Sequence, residues 1–206
     1  MRLYGTGLEL YRQLKVRFPE AALEHLPMRA EMLEYQLLAL YGLARQFDRK
    51  KVRIAEIGTG QGASALALSR AAPRAAIISL AVNPAEAMLA QSYLRQADCR
   101  NVAVVLQASW DYWREHPGEQ WHMVFVDGDH NQIWRDMAWW NNLAPGGLFL
   151  CHDYSPVDSA RPSPAVFGTL NAFRERLGRD FDVLLVDETK TGMAGWYRKA
   201  GEVWAE

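Results

Sequence analysis

Residues 51–73 read KVRIAEIGTGQGASALALSRAAP. A short run rich in Val and Ile, Lys51 to Ile57, is cut by the glycine turn Gly58-Thr59-Gly60-Gln61-Gly62. An Ala/Leu-rich helical stretch follows from Ala63 to Ala72 and stops at Pro73. The same alternation recurs downstream. Ala75 to Val82 is a second apolar strand, and Ala85 to Ala97 is a helix entered through Asn83-Pro84. Val102 to Gln107 is a third strand, and Trp121 to Val126 a fourth that ends at Asp127-Gly128-Asp129-His130. Gln132 to Leu143 reads as helix, and Pro145-Gly146-Gly147 turns the chain into a fifth strand, Leu148 to Cys151.

Beyond residue 153 the pattern changes. Tyr154 to Pro164 holds three of the nine prolines and reads as a loop, followed by a helix from Ala165 to Leu177. Phe181 to Asp187 and Met193 to Arg198 are strand-like and joined through Lys190-Thr191-Gly192, which predicts a hairpin. Upstream, the first fifty residues read as helical, with Met32, Leu33, Leu37, Leu40, Leu43 and Ala44 near helical spacing. Strands interleaved with helices predict an α/β fold: a doubly wound, mostly parallel, seven-stranded sheet with an antiparallel C-terminal hairpin and helices on both faces. The expected organisation is a single domain, 1–206, with an N-terminal helical cap (1–50) and a core (51–199).

Composition narrows the function classes. Of 206 residues, 50% are hydrophobic and 23% charged, enough for a buried core. The formal net charge of −1 supplies no field that would draw the chain onto nucleic acid or an acidic membrane. Cys99 and Cys151 are far apart and form no CxxC pair, so neither a disulfide framework nor a zinc ribbon is expected, and a reducing cytoplasm suits the chain. Met1 to Leu14 lacks an apolar signal region, and no stretch resembles a membrane span. The amphipathic first fifty residues offer a surface for a homodimer.

Ligands of open α/β sheets bind beyond the carboxyl ends of the strands. The polar residues there are Glu56 with the glycine turn, Asn83, Ser109 beside Ala108, Asp127 with His130, and His152 with Asp153. Glycines 58, 60 and 62 allow a tight turn and close approach of a ligand, and the helix from Ala63 directs free N–H groups toward it. Gly58-x-Gly60-x-x-Ala63 nearly satisfies a dinucleotide-binding pattern, which makes an NAD(P)-linked oxidoreductase the runner-up. Glu56, two residues before the first glycine, instead suits a ligand carrying an ammonium group. Cys151 reads as inert packing; Trp134, Trp139 and Trp140 read as core cover; Trp110, Trp113 and the loop from Tyr154 to Pro164 read as an acceptor wall.

Three motifs in this order, Glu56-Ile57-Gly58-Thr59-Gly60-Gln61-Gly62, Phe125-Val126-Asp127-Gly128-Asp129-His130 and Pro145-Gly146-Gly147 with His152-Asp153-Tyr154, resemble the class I S-adenosylmethionine-dependent methyltransferases. The resemblance runs from about residue 50 to 199, is nearest to the small-molecule O-methyltransferase-like branch, and implies a Rossmann-like core. It implies S-adenosyl-L-methionine as cofactor, with Gly58, Thr59, Gly60 and Gly62 along its methionyl part, Glu56 under the amino group and Ser64 near the carboxylate. Ala108 and Ser109 would edge the adenine, and Asn83 would meet the ribose where the family places a carboxylate.

A neutral acceptor in place of a charged one weakens that contact by about 1–2 kcal/mol. Asp127, His130 and Asp153 are the implied catalytic group, activating the hydroxyl of a small-molecule acceptor. Asp127, His152 and Asp153 are the implied ligands of a divalent metal such as Mg²⁺ or Mn²⁺, with His152 standing in for the family's third ligand because Tyr154 occupies that position. In the alternative reading Asp127 caps a turn, His152 and Asp153 form a structural pair, and the protein binds the cofactor without transferring a methyl group.

Overall fold

The computed structural model describes residues 1–203 apart from 24, 25, 27, 29 and 156–162. In chain order the elements are β1 (Arg2–Gly5), α1 (Gly7–Arg17), α2 (Glu34–Ala44), β2 (Arg53–Ile57), α3 (Ala63–Ala71), β3 (Ala76–Ala81), α4 (Pro84–Gln96) and β4 (Val102–Leu106). They continue with α5 (Ser109–Glu115), β5 (Trp121–Val126), α6 (Ile133–Asp136), β6 (Leu143–Tyr154), α7 (Pro164–Leu177), β7 (Val183–Asp187) and β8 (Gly192–Tyr197).

The strands form one sheet in the order β1-β7-β8-β6-β5-β2-β3-β4. All neighbours run parallel except β8, which is antiparallel to both β6 and β7. Alternation along the central strands fills both faces. Met123, Phe125, Leu148 and Leu150 pack with α1, α2 and α3, whereas Val124, Val126, Phe149 and Cys151 pack with α7 and the tryptophans. Cys151 is fully buried in that second cluster, and burial holds its thiol well above the ordinary range. No helix among the described residues is long and apolar enough to cross a membrane.

The sheet carries one strand more than the seven that sequence pattern marks. Arg2–Gly5, inside the stretch expected to be wholly helical, pairs in parallel with β7 from Arg2↔Leu184 to Gly5↔Asp187. Four residues of alternating exposure hold little local strand signal; a partner from the far end of the chain imposes the conformation. The helix expected over Gln132 to Leu143 is α-helical only at Ile133–Asp136, with 3₁₀ turns on either side. Trp139 stacks toward Tyr112 and Trp121 while its neighbour Trp140 meets Phe149 and Phe173, so two adjacent rings are buried in different places. Trp134 is 57% exposed and covers no core. Most of the expected Tyr154–Pro164 loop lies outside the described residues.

Candidate active site

From β2 the chain winds one way through β3 and β4, and β5 and β6 lie on the other side. The switch point therefore falls between β2 and β5, and the residues just past them meet. The Asp127 amide donates to Ile57 O at 2.8 Å, and the Gly58 and Thr59 amides donate to Leu80 O at 3.0 and 3.1 Å. Gly58 has φ +98°, and a Cβ there would lie 2.1 Å from Asp127 O, so only glycine lets the two loops touch. Gly60, at φ +48°, faces open space beside the cavity. Gly62 is turned away from it, with its α-carbon packed toward Ala90 of α4.

Glu56 sits under this turn, fully buried. Ser79 Oγ donates to its Oε2, and Thr59 Oγ1 lies 2.7 Å from Ser79 Oγ. Oε1 lacks a hydrogen bond of good geometry among the described residues. Burial pushes the Glu56 pKa up to about 7, the Ser64 and Ser79 hydroxyls oppose the shift, and the Asp127 charge adds to it. Among the described residues no cation pairs with Glu56, and a buried carboxyl so placed is a site for a positive group.

Three cavities follow one another along the sheet edge and share wall residues, making a trench in three parts. The first, about 210 Å³, is lined by Ala108, Ser109, Trp110, Asp136 and Gly58. Ser109 Oγ donates to Asp136 Oδ1 at 2.5 Å, and burial pushes the Asp136 pKa up to about 6 against that bond. The second is a narrow neck, about 50 Å³, lined by Gly58, Thr59, Gly60, Ser64, Met32 and Asp127. The third, about 440 Å³, is lined by Met32, Gln36, Asp127, His152, Asp153 and Lys190, among others. Gly58 is common to the first two, and Asp127 and Met32 to the last two.

At the third cavity, a bulge in β6 sets the geometry. Register against β8 shifts between His152 and Tyr154, and Asp153 takes a left-handed φ of 57°. Consecutive side chains of a regular strand point to opposite faces, but here His152 and Asp153 both line the cavity. His152 Nδ1 is 3.1 Å from Asp127 Oδ1 and 3.2 Å from Asp153 Oδ2, and His130 Nε2 is 2.7 Å from Asp153 Oδ2. Burial opposes the His152 charge, but Asp127 and Asp153 outweigh it and lift its pKa to about 10. Burial likewise opposes charge on Asp153, and hydrogen bonds from His130, His152 and Thr191 hold it far below the usual carboxylate range. The hydrogen bond to Asp153 raises the His130 pKa.

Glu56, Gly58, Thr59, Gly60, Ser64, Ala108, Ser109, Asp127, His130, His152 and Asp153 thus gather along one edge. Gly62 serves α3–α4 packing, and Asn83 serves a helix end: its Oδ1 accepts from the Ala85 and Glu86 amides at 3.0 and 3.4 Å, capping α4. The strand itself ends two residues earlier, at Ala81, which has no polar side chain. Trp110 lines the first cavity, at the end away from Asp153, and so lies outside the expected acceptor wall. Sequence reading missed Asp136, Gln36 and Lys190. Of these, Gln36 left a signal, as a polar residue in the otherwise apolar helix α2.

Residues 55–154, which span the glycine turn, Asp127 and Asp153, match a family model described as a methyltransferase domain. The methyltransferase fold recurs in solved structures at low identity. A cofactor-bound protein from MTB is 24% identical with TM-score 0.69, covering 93% of this chain and 90% of that one. The O-methyltransferase from Bacillus cereus in complex with SAH is 17% identical with TM-score 0.69, covering 94% and 98%. The O-methyltransferase TomG from Streptomyces achromogenes, involved in tomaymycin synthesis and solved with SAM, is 24% identical with TM-score 0.63, covering 92% and 89%. Among curated proteins none matches.

Proposed function

We propose that this chain is an S-adenosylmethionine-dependent O-methyltransferase acting on a hydroxyl of a small molecule, carried by one domain over residues 1–206. The observation that carries the reading is the series of three cavities with shared walls: one of about 210 Å³ at Ser109 and Asp136, a neck at Gly60, and an acid–imidazole cluster beyond it. The SAM and SAH complexes of the similar folds support the same donor.

In this reading Glu56 lies under the ammonium of the donor, Ser64 near its carboxylate, and Ala108 and Ser109 along the adenine, while the ribose goes without the family's carboxylate because Ala81 ends the strand. Gly60 leaves room for the methionyl chain. The sulfonium methyl then points through the neck toward the third cavity. The acceptor oxygen displaces the sulfur in line, and its proton passes to His130, whose charged form Asp153 stabilises across 2.7 Å.

Asp127, His130 and Asp153 offer one ligand atom each within 4.8 Å of one another, with His152 adjacent, a set suited to Mn²⁺ or a similar divalent ion. With an ion bound, His130 would be a ligand in place of the base. Such an ion would lower the pKa of a bound hydroxyl. The setting is a cytoplasmic enzyme with a small acceptor and no nucleic-acid partner, and its N-terminal segment is available for homodimer contact.

A nicotinamide-linked oxidoreductase would place a pyrophosphate over Glu56, where a buried carboxyl repels it. Calorimetry separates the readings: SAM and SAH should bind with micromolar affinity and NADH should not. NADH binding without SAH binding would end the proposal. SAH binding without turnover of any acceptor, with or without Mn²⁺, would leave a cofactor-binding protein.

A further inference from the structure

We propose that the methyl acceptor is a small hydroxy acid whose carboxylate pairs with Lys190 while its hydroxyl lies at Asp127 and Asp153. The inference rests on the methyltransferase reading above and names the substrate class for the third cavity.

Lys190 lines that cavity together with Asp127, His152 and Asp153. It is half-buried, and among the described residues it has no hydrogen bond or ion pair. The other polar groups of the wall are already engaged. Asp127 and Asp153 have imidazole nitrogens at 2.7–3.2 Å. Gln36 accepts from the Leu33 amide and donates to Thr191 O, both at 2.7 Å. Glu31, the remaining charged group of the wall, is exposed. An unpaired ammonium at the wall of a reaction cavity attracts an anion.

The turn that presents it is fastened on both sides. Asp187, 4% exposed, accepts from the Tyr35 hydroxyl of α2 and from Thr189 N and Oγ1 at 2.8 and 2.9 Å. On the other side Thr191 is tied to Gln36 of α2 through its carbonyl. The backbone around Lys190 is thereby fixed relative to the reacting centre, and the cation is held in place before the acceptor arrives.

Charge and size limit the anion. Glu31, Asp127 and Asp153 face the same cavity, so a doubly charged phosphate meets more repulsion than a carboxylate does. A space of about 440 Å³ holds a single ring or a short chain.

The test uses the full chain loaded with SAH and two scaffolds: 3,4-dihydroxybenzoate with its amide and its phosphonate analogue, and mandelate with mandelamide. Binding is read by thermal shift, and turnover by SAH release from SAM. The carboxylates should bind at least tenfold more tightly than the amides. Lys190→Gln should bring the two within about twofold of each other, and Lys190→Arg should retain part of the preference. The response of each variant to SAH alone verifies that it has folded.

Equal binding of acid and amide, a preference surviving in Lys190→Gln, or no response of the SAH-loaded protein to either acid overturns the inference. Tighter binding of the phosphonate than of the benzoate overturns the carboxylate assignment. Failure of SAH itself to stabilise the protein counts against the methyltransferase reading instead.

Discussion

Two carboxyls serve the two sides of the neck, Glu56 fully buried beneath the glycine turn and Asp153 partly buried in the third cavity, and their surroundings push the two apart. Glu56 meets hydroxyl groups and no cation, so burial raises its pKa to about 7. Asp153 is approached by two imidazoles and Thr191, which keep it ionised despite burial. Glu56 is electrostatically incomplete without a positive ligand, whereas Asp153 already has its counter-charges from neighbouring side chains, and in that cavity it is Lys190 that is left unpaired among the described residues. Separation of like groups by environment is how one pocket assigns different roles to chemically similar residues.

The strongest attack on this contrast is Asp153→Asn. Loss of the charge that holds His130 should lower kcat by about a thousandfold while SAH affinity, measured by calorimetry, stays within about threefold. Equal loss of both would merge the two ends and contradict the division. Next is Gly60→Val, for which SAH affinity should fall by at least about a hundredfold, roughly 2.7 kcal/mol. A Cβ at Gly60 meets no protein atom within 4 Å, but the left-handed φ of +48° strains a β-branched residue. The ligand-free protein should therefore also lose about 1–2 kcal/mol of stability, and SAH affinity is read at a temperature where the variant is folded.

Glu56 gives the pH test. Its pKa is about 4.5 in the unfolded chain and about 7 when buried. The folded state therefore holds the proton more tightly. The stability this adds is complete below about pH 4.5 and is lost as pH rises through 7, about 3 kcal/mol in all. Urea unfolding of the ligand-free protein should show that slope, and Glu56→Gln should flatten it. SAH binding near pH 6.5 should release protons, visible as a dependence of calorimetric heat on the buffer. The smallest effect is expected at the other end: chelation should lower kcat by about tenfold and Mn²⁺ should restore it, with SAH affinity unchanged.

The donor end was the more legible in sequence, because its parts are local. Glu56, the glycine turn and the start of α3 follow one another within nine residues, and the strand before them announces itself by composition. Asp127 was legible for the same reason, standing just beyond β5, and Asp153 because it follows the apolar run Leu148–Cys151, although the ladder of β6 continues past it to Tyr154. The acceptor wall was not. Gln36 and Lys190 come from opposite ends of the chain and meet only because β7 and β8 fold back beside α2. Asp136 pairs with Ser109 across 27 residues, a partner that nothing local to either residue marks. Asn83 misled because strand composition continues through Val82, while the ladder stops at Ala81 and the side chain turns to cap the helix. The β1 strand was hidden by its dependence on a distant edge.

The turn bearing Lys190 hangs between strands of settled register, Val183↔Gly195 through Leu185↔Met193, and touches neither the glycine turn nor the adenine end. It is therefore an exchangeable cassette. On the proposed methyltransferase reading, exchanging Glu188 and Lys190 while keeping Thr189 and Thr191, which tie the turn to Asp187 and Gln36, offers a route toward new alcohols with the donor side left alone.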